Sequence, residues 1–289
     1  MKISEILESG NVTLSMEVFP PKSNDTYEAV AHAVDSIAEL KPSFMSCTYG
    51  AAGGTRENTV KIAAKIQTHG VPAMAHMTCV GATPEQVFKQ VEAVREAGIE
   101  NILALRGDLP EGADTSTLHA NLKHASQLTH LIKSIYPEAC IGGACYPEKH
   151  PEAATKAEDI RHLKEKVDAG CAFLTTQMFF DNSIFYNYLF RLREAGIQVP
   201  VVAGIMPITS RRMLKNAVSL SGCSVPARFA SIVDKYGSNG AAMTQAGIIY
   251  AAEQIVDLLA NDIRHIHLYT MNRPEIAEGI QNMLSQLLC

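Results

Sequence analysis

The sequence predicts an α/β fold, a (β/α)8 TIM barrel, on three observations. Eight short apolar runs recur along the 289 residues, and most end in a polar or charged residue. Long amphipathic stretches separate them, as the crossovers of a parallel sheet require. Several of these stretches close on a Gly just before the next run, the signature of helix C-termini. The length suits one barrel of ~250 residues, so residues 1–289 read as a single domain. An open doubly wound sheet is the runner-up. It ranks lower because eight units without a Gly-rich dinucleotide fingerprint fit closure better.

The elements follow in order. Met1–Gly10 alternates charge with Ile3, Ile6 and Leu7 and reads as a short surface helix. It lacks the apolar core of a signal peptide. The strands are Leu14–Phe19, Phe44–Tyr49, Ala73–Cys79, Asn101–Arg106, Cys140–Tyr146, Phe173–Phe179, Val201–Met206 and His265–Tyr269. Gly70, Gly98, Gly170 and Gly196 end helices immediately before strands. Thr83-Pro84-Glu85-Gln86 combines an N-cap, a first-turn Pro and a capping-box Gln. Thr209 or Ser210 caps the helix after the seventh strand, and Asn272 the one after the eighth. The gap Pro207–Arg264 has room for an additional helix, and Gly107–Lys123 reads as a long loop.

Composition narrows the function class. Apolar residues are 47% and charged residues 19% of the chain, ordinary for a soluble globular enzyme. The net charge of −5 and the lack of a basic run argue against nucleic-acid binding. No apolar run approaches the ~20 residues of a membrane span. The seven cysteines are scattered, without a CxxC pair, and several lie in apolar strands. Reduced thiols in a cytoplasmic protein are the simplest reading.

Barrel enzymes place their chemistry at the C-terminal ends of strands. Glu17 lies there among Met16, Val18 and Phe19, where burial raises a carboxyl pKa and suits a general acid. The alternative is a buried Glu paired with a cation. Arg106-Gly107-Asp108 ends the fourth strand and is either an ion pair or a site, with Gly107 allowing a planar ligand close to the backbone. Gln177 is an amide in an apolar strand, needing partners that a heterocycle or neighbouring backbone supplies. Thr48-Tyr49 and His76 are weak signals alone. Tyr146 and His150 end the fifth strand. Asp159 and Lys166 share a helix face, suited to a ribose and a pyrophosphate or to solvent. His265 and His267 point the same way but lack a third metal ligand, so the pair reads as structural and no metal is expected. Arg211-Arg212 stand where barrels often hold phosphate, or on a surface helix.

These segments, taken together, resemble the methylenetetrahydrofolate reductase family. The matching stretches are 16–21, 48–51, 75–79, 104–110, 146–152, 166–170, 176–181, 204–207 and 269–273, in order over nearly the whole chain. The resemblance implies a cytoplasmic FAD-containing barrel of one-carbon metabolism and methionine biosynthesis. It reduces 5,10-methylenetetrahydrofolate to 5-methyltetrahydrofolate by hydride transfer through the flavin, with NADH or NADPH as donor. Glu17 matches the general acid and Asp108 the carboxylate beside flavin and pterin. Gln177, Tyr269 and Arg273 match folate-binding positions. Thr48, His76, Arg106, Gly107, Asp108, Ala125, Tyr146, His150, Asp159 and Lys166 match FAD contacts, Ala125 after a short insertion is allowed for.

Two departures bear on the donor. Arg211 stands about where some bacterial members carry an aromatic, and His162 and Glu165 replace other polar residues. A homo-oligomer is expected. An alternative makes the chain the folate-reducing subunit of a larger complex, fed by an electron-donor protein partner. A third reading, a pterin-binding methyltransferase barrel, has no redox chemistry. The regulatory domain of eukaryotic forms is absent from this sequence, so direct control by adenosylmethionine is not expected.

Overall fold

The computed structural model describes every residue except 22, 50–55, 109–121 and 289. Its strands are β1 (Thr13–Val18), β2 (Met45–Cys47), β3 (Ala73–Thr78), β4 (Asn101–Leu105), β5 (Cys140–Cys145), β6 (Phe173–Thr176), β7 (Val201–Ile205) and β8 (His265–Tyr269). They form a closed parallel barrel in sequential order. Closure is the pairing of β1 with β8, which sets Ser15 opposite His267 and Glu17 opposite Tyr269. Every expected strand is present, ending up to three residues early because the last residues turn out of the ladder.

Helices α1 (Ile3–Glu8), α2 (Tyr27–Glu39), α3 (Arg56–Thr68), α4 (Pro84–Glu96), α5 (Ala125–Ile135), α6 (Lys156–Asp168) and α7 (Asn182–Glu194) come before β7. The gap before β8 holds α8 (Arg211–Ser221), α9 (Ala227–Tyr236) and α10 (Gly240–Ala260), and α11 (Pro274–Met283) follows β8. Two helices beyond the ordinary crossover therefore fit where one extra was expected. They carry a small core of their own, with Phe229 stacked on Tyr250 at 4.1 Å. The four helix-closing glycines take φ of +74°, +68°, +119° and +75°, a conformation costly for residues with a Cβ.

Thr83 caps α4 as the sequence predicts: its hydroxyl accepts from Gln86 N at 3.2 Å, and Gln86 Oε1 accepts from Thr83 N at 3.0 Å. Thr83→Ala is expected to cost about 1 kcal/mol, read as a lower urea midpoint with unchanged slope. Ser210, rather than Thr209, caps α8. The expected cap at Asn272 is corrected, since Arg273 holds the N-cap position of α11. Asn272 instead takes φ of +54° and clamps Phe19, accepting from its N–H at 2.7 Å and donating to its carbonyl at 3.0 Å.

The barrel interior divides into two levels. At the N-terminal end, Phe44, Met74, Leu103, Cys140, Phe173 and Val202 form an apolar layer. Gly142 leaves the space that the Phe173 ring fills. Met1–Gly10, expected on the surface, closes this end: Ile3 and Leu7 of α1 are buried in the same layer. Asn101 ties α1 down, accepting from Ile3 N at 2.8 Å and donating to Met1 O at 3.2 Å. Above this plug the buried interior residues are polar: Ser15, Glu17, Ser46, His76 and His267. Buried polar groups at one level of an otherwise apolar barrel mark where the chemistry lies.

The six described cysteines are free and buried. No helix among the described residues is long and apolar enough to cross a membrane.

Candidate active site

Glu17 is 6% exposed near the C-terminal end of β1. Its Oε2 faces three groups from three strands: Ser46 Oγ at 3.4 Å, His76 Nε2 at 3.5 Å and His267 Nε2 at 3.6 Å. Burial pushes the carboxyl pKa up, as the sequence predicts. The hydrogen bond and charge of His267, with His76 and Ser46, outweigh that, and the net direction is down. The expected raised value is thus corrected, because the counter-groups come from β2, β3 and β8, far from Glu17 in sequence.

His76 is held neutral. Burial, opposed by Glu17 and reinforced by His267, brings its pKa to about 4, and its Nε2 has no hydrogen-bond partner. The sign of the resulting pH dependence follows. Between pH 6.5 and about 4 the unfolded chain protonates this imidazole and the folded chain does not. Its contribution is intact above pH 6.5 and is lost as pH falls toward 4, by up to roughly 3 kcal/mol. Urea unfolding at pH 7 and pH 5 is expected to show wild type losing more stability on acidification than His76→Gln.

A cleft of about 300 Å³ opens along β4, β5, α5 and α6. Arg106, Gly107, Asp108, Ala125, Tyr146, His150, Asp159 and Lys166 all line it. The family resemblance implies a cofactor role for each of these eight, while Thr48 and His76, implied likewise, fall outside the cleft lining. Gly107 has φ of +90° and packs on Thr78, which accounts for glycine there. Arg106 does not pair with Asp108. Its guanidinium forms a two-pronged ion pair with Glu152, with NH2 to Oε1 at 2.7 Å. That pair, supported by Asp108 and Tyr146, raises the Arg106 pKa further, against the opposing pull of burial. Lys166 donates to Ala144 O at 2.6 Å. Burial raises the Asp159 pKa against the lowering effect of His150 and Lys166, and Asp159 Oδ2 accepts from His150 N at 3.2 Å. The N-terminus of α5, starting at Ala125, also meets the cleft and favours an anion. His124 and His162 line it as well, their rings 6.2 Å apart.

The substrate candidates lie around the mouth. Gln177 Oε1 accepts from Met178 N at 3.1 Å, a local bond that satisfies only part of the amide. Tyr269 donates to Thr176 O at 2.6 Å, and burial with Glu17, Cys145 and Tyr146 nearby pushes its pKa well up. Tyr269 thus joins the Glu17 cluster to the cleft through Tyr146. Arg273 donates to Thr209 Oγ1 at 2.9 Å and to Glu275 Oε1 at 2.8 Å. Arg211 does not hold a phosphate position at the mouth. It donates to Asp234 O at 3.2 Å at the C-terminal end of α9.

His267 is the residue that sequence reasoning set aside as structural. It is 1% exposed and faces Glu17 directly. Its alternation with Tyr269 on β8, at the level of Glu17 once the ring closes, was the available signal. His265 instead meets Thr13 Oγ1 at 3.1 Å. Among the described residues no group of His, Cys, Asp and Glu is arranged to hold a metal ion. The loop expected over 107–123 lies mostly outside the described residues, as do the matching positions at 50–51 and 109–110.

A family model described as methylenetetrahydrofolate reductase matches residues 2–285. The chain is 33% identical over 276 residues to 5,10-methylenetetrahydrofolate reductase of Escherichia coli, covering 95% of this chain and 91% of that protein. It is 34% identical over 291 residues to methylenetetrahydrofolate reductase (NADH) 1 of Arabidopsis thaliana, covering 96% of this chain. It spans about half of that plant relative, 49%. A solved Clostridium thermocellum protein that binds two copies of 5-methyl-5,6,7,8-tetrahydrofolic acid superimposes with a TM-score of 0.65 at 14% identity, covering 100% of this chain and 99% of that one. At that identity the likeness shows a shared fold.

Proposed function

The chain belongs to the methylenetetrahydrofolate reductase family, and from that premise we propose that it reduces 5,10-methylenetetrahydrofolate to 5-methyltetrahydrofolate with FAD, drawing on NADH or NADPH. The observation that carries the FAD reading is the cleft itself, which gathers eight of the ten expected cofactor positions and is linked to Glu17 through Tyr146 and Tyr269. The residues suit the group. Lys166 and the start of α5 favour a pyrophosphate. Asp159 suits ribose hydroxyls, and Gly107 lets a flat ring approach the backbone. FAD, when bound, supplies the hydride carrier.

The chain's own residues supply the rest. Glu17 delivers a proton to the folate ring nitrogen as the five-membered ring opens. Asp108 is exposed at the cleft, where its negative charge favours the resulting cation. Gln177 and Tyr269 bind the pterin, and Arg273 takes a carboxylate of the substrate's glutamate. Burial of Glu17 and His76 beneath the mouth keeps bulk water from competing for the proton.

A second reading, in which a protein partner feeds the flavin, is favoured by Arg211. Its guanidinium is spent on the end of α9, so this position offers no aromatic surface to a nicotinamide. An anaerobic absorbance spectrum separates the readings. Bleaching of a flavin band by NADH or NADPH and its return with methylenetetrahydrofolate is the expected result. A flavin that ignores both carriers, yet is reoxidised by the folate after chemical reduction, assigns the donor to a partner. A folded protein that neither carries flavin nor takes up FAD overturns the redox reading in favour of a pterin-binding methyltransferase.

A further inference from the structure

The Ser15 hydroxyl lies 2.8 Å from His267 Nδ1 and 3.0 Å from the Ile266 carbonyl oxygen. A hydroxyl has one proton to give, and a carbonyl can only accept. Only one assignment satisfies both contacts: Ser15 donates to Ile266 O, and His267 Nδ1–H donates to Ser15. The reverse leaves two oxygens facing each other with no proton between them. His267 therefore carries its first proton on Nδ1. The ring is fixed in place by Phe44, stacked at 6.2 Å and 14°, and by Tyr269, edge-on at 5.3 Å.

The other ring nitrogen, Nε2, faces Glu17 Oε2 at 3.6 Å. With Nδ1 already protonated, a neutral ring presents a bare lone pair to a carboxylate. Both are acceptors, and the contact is repulsive until a proton lies between them. The remaining groups around Glu17 supply no proton to His267 Nε2. They are Ser46 and Cys47 on β2, His76 on β3 and Tyr269 on β8. His76 is neutral, Ser46 donates its one proton to Glu17 Oε2 at 3.4 Å, and the Cys47 thiol and Tyr269 phenol are pushed well up by burial and by Glu17 itself.

We propose that Glu17 and His267 hold one proton in common, and that Ser15, by fixing the imidazole tautomer, makes this pair the proton store for folate ring opening. The proposal rests on Glu17 acting as the general acid. In the step, the proton leaves Glu17 Oε2 for the folate ring nitrogen as the methylene carbon–nitrogen bond breaks, its electron pair staying on nitrogen. The pair is left one proton short and is refilled from water after product leaves. Ser15 and His267 are positioning residues.

The test is imidazole ¹⁵N and side-chain carboxyl ¹³C spectroscopy of the purified flavoprotein, labelled at His and Glu, with H267Q and E17Q for assignment. The expected result is a His267 protonated on Nδ1 at every pH, with Nε2 and the Glu17 carboxyl changing in one shared step. A wild-type His267 protonated on Nε2 alone, or two independent titrations, overturns the proposal. No folate is present, so this result is separate from whether the chain reduces folate at all. The kinetic arm uses Ser15→Ala and Ser15→Thr. Ser15→Ala is expected to slow folate-dependent reoxidation about 10- to 100-fold, part of the ~10²–10⁴ that a general acid supplies, with KM little changed. Ser15→Thr, which keeps the hydroxyl, should restore the rate and the wild-type pH profile. Equal rates in Ser15→Ala and wild type overturn the assigned role of Ser15.

Discussion

Glu17→Gln is expected to slow reoxidation of the reduced protein by methylenetetrahydrofolate by roughly 10²–10⁴-fold, while reduction by the electron donor stays within a few-fold of wild type. The asymmetry follows from what the side chain does. A proton is needed only when the folate ring opens, and Gln occupies the same volume without an acidic proton. The change also removes a charge from a pocket containing His76 and His267, each within 3.6 Å of Glu17 Oε2. Those groups stabilise the Glu17 charge, as the net lowering of its pKa shows, so the variant is expected to be somewhat less stable than wild type at neutral pH. Stopped-flow measurement of the two half-reactions checks both points. Equal loss in both would assign Glu17 to flavin placement rather than to acid catalysis.

Gly204→Ala is the second substitution with a large expected effect. An added Cβ would collide with the Thr176 carbonyl oxygen and would stand 2.8 Å from the Tyr269 ring edge and hydroxyl. The carbonyl belongs to the neighbouring strand and cannot swing away. Tyr269 gives way first, breaking its 2.6 Å hydrogen bond to that same oxygen. Overpacking of this kind typically costs ~1–3 kcal/mol, and Gly204 N also donates to Thr176 Oγ1 at 2.9 Å. The variant is therefore expected to melt several degrees lower and to bind folate more weakly, with little change in flavin content. Thermal unfolding and a folate titration by difference absorbance check it. A variant matching wild type in both would show that Tyr269 is not held by this contact.

Much of the fold is legible in the sequence because its signals are local. A strand such as Asn101–Leu105 announces itself through five consecutive residues, and Gly98 marks the turn before it. The capping box at Thr83 is likewise complete within four residues. Arg106, Gly107, Asp108, Tyr146 and His150 of the cleft were also identifiable, since each lies at or just beyond a strand end, whereas Ala125, Asp159 and Lys166 sit on α5 and α6 and stood out through the family resemblance. What escaped was pairing across the ring. The expectation that burial alone sets the Glu17 pKa fails because Ser46, His76 and His267 arrive from strands 29 residues and more away in sequence. Arg106 was read beside its sequence neighbour Asp108, whereas its partner Glu152 comes from the loop after β5. Ile3 and Leu7 looked like the inner face of a surface helix, because nothing within ten residues says that they plug a barrel.

The seam between β1 and β8 has a consequence for how the protein is made. Thr13 and His265, the first partners along that seam, are the opening residues of the first and last strands. During synthesis the β1 edge stays unpaired on one side until nearly the whole chain has emerged. A ribosome-bound fragment ending before His265 has the Glu17 carboxylate and His76 but neither His267 nor the Tyr269 that links the cluster to the cleft. Such fragments expose a strand edge and are candidates for aggregation or chaperone capture. Assembly of the catalytic centre is thus deferred to the end of translation, and an interrupted chain cannot release a partly working enzyme.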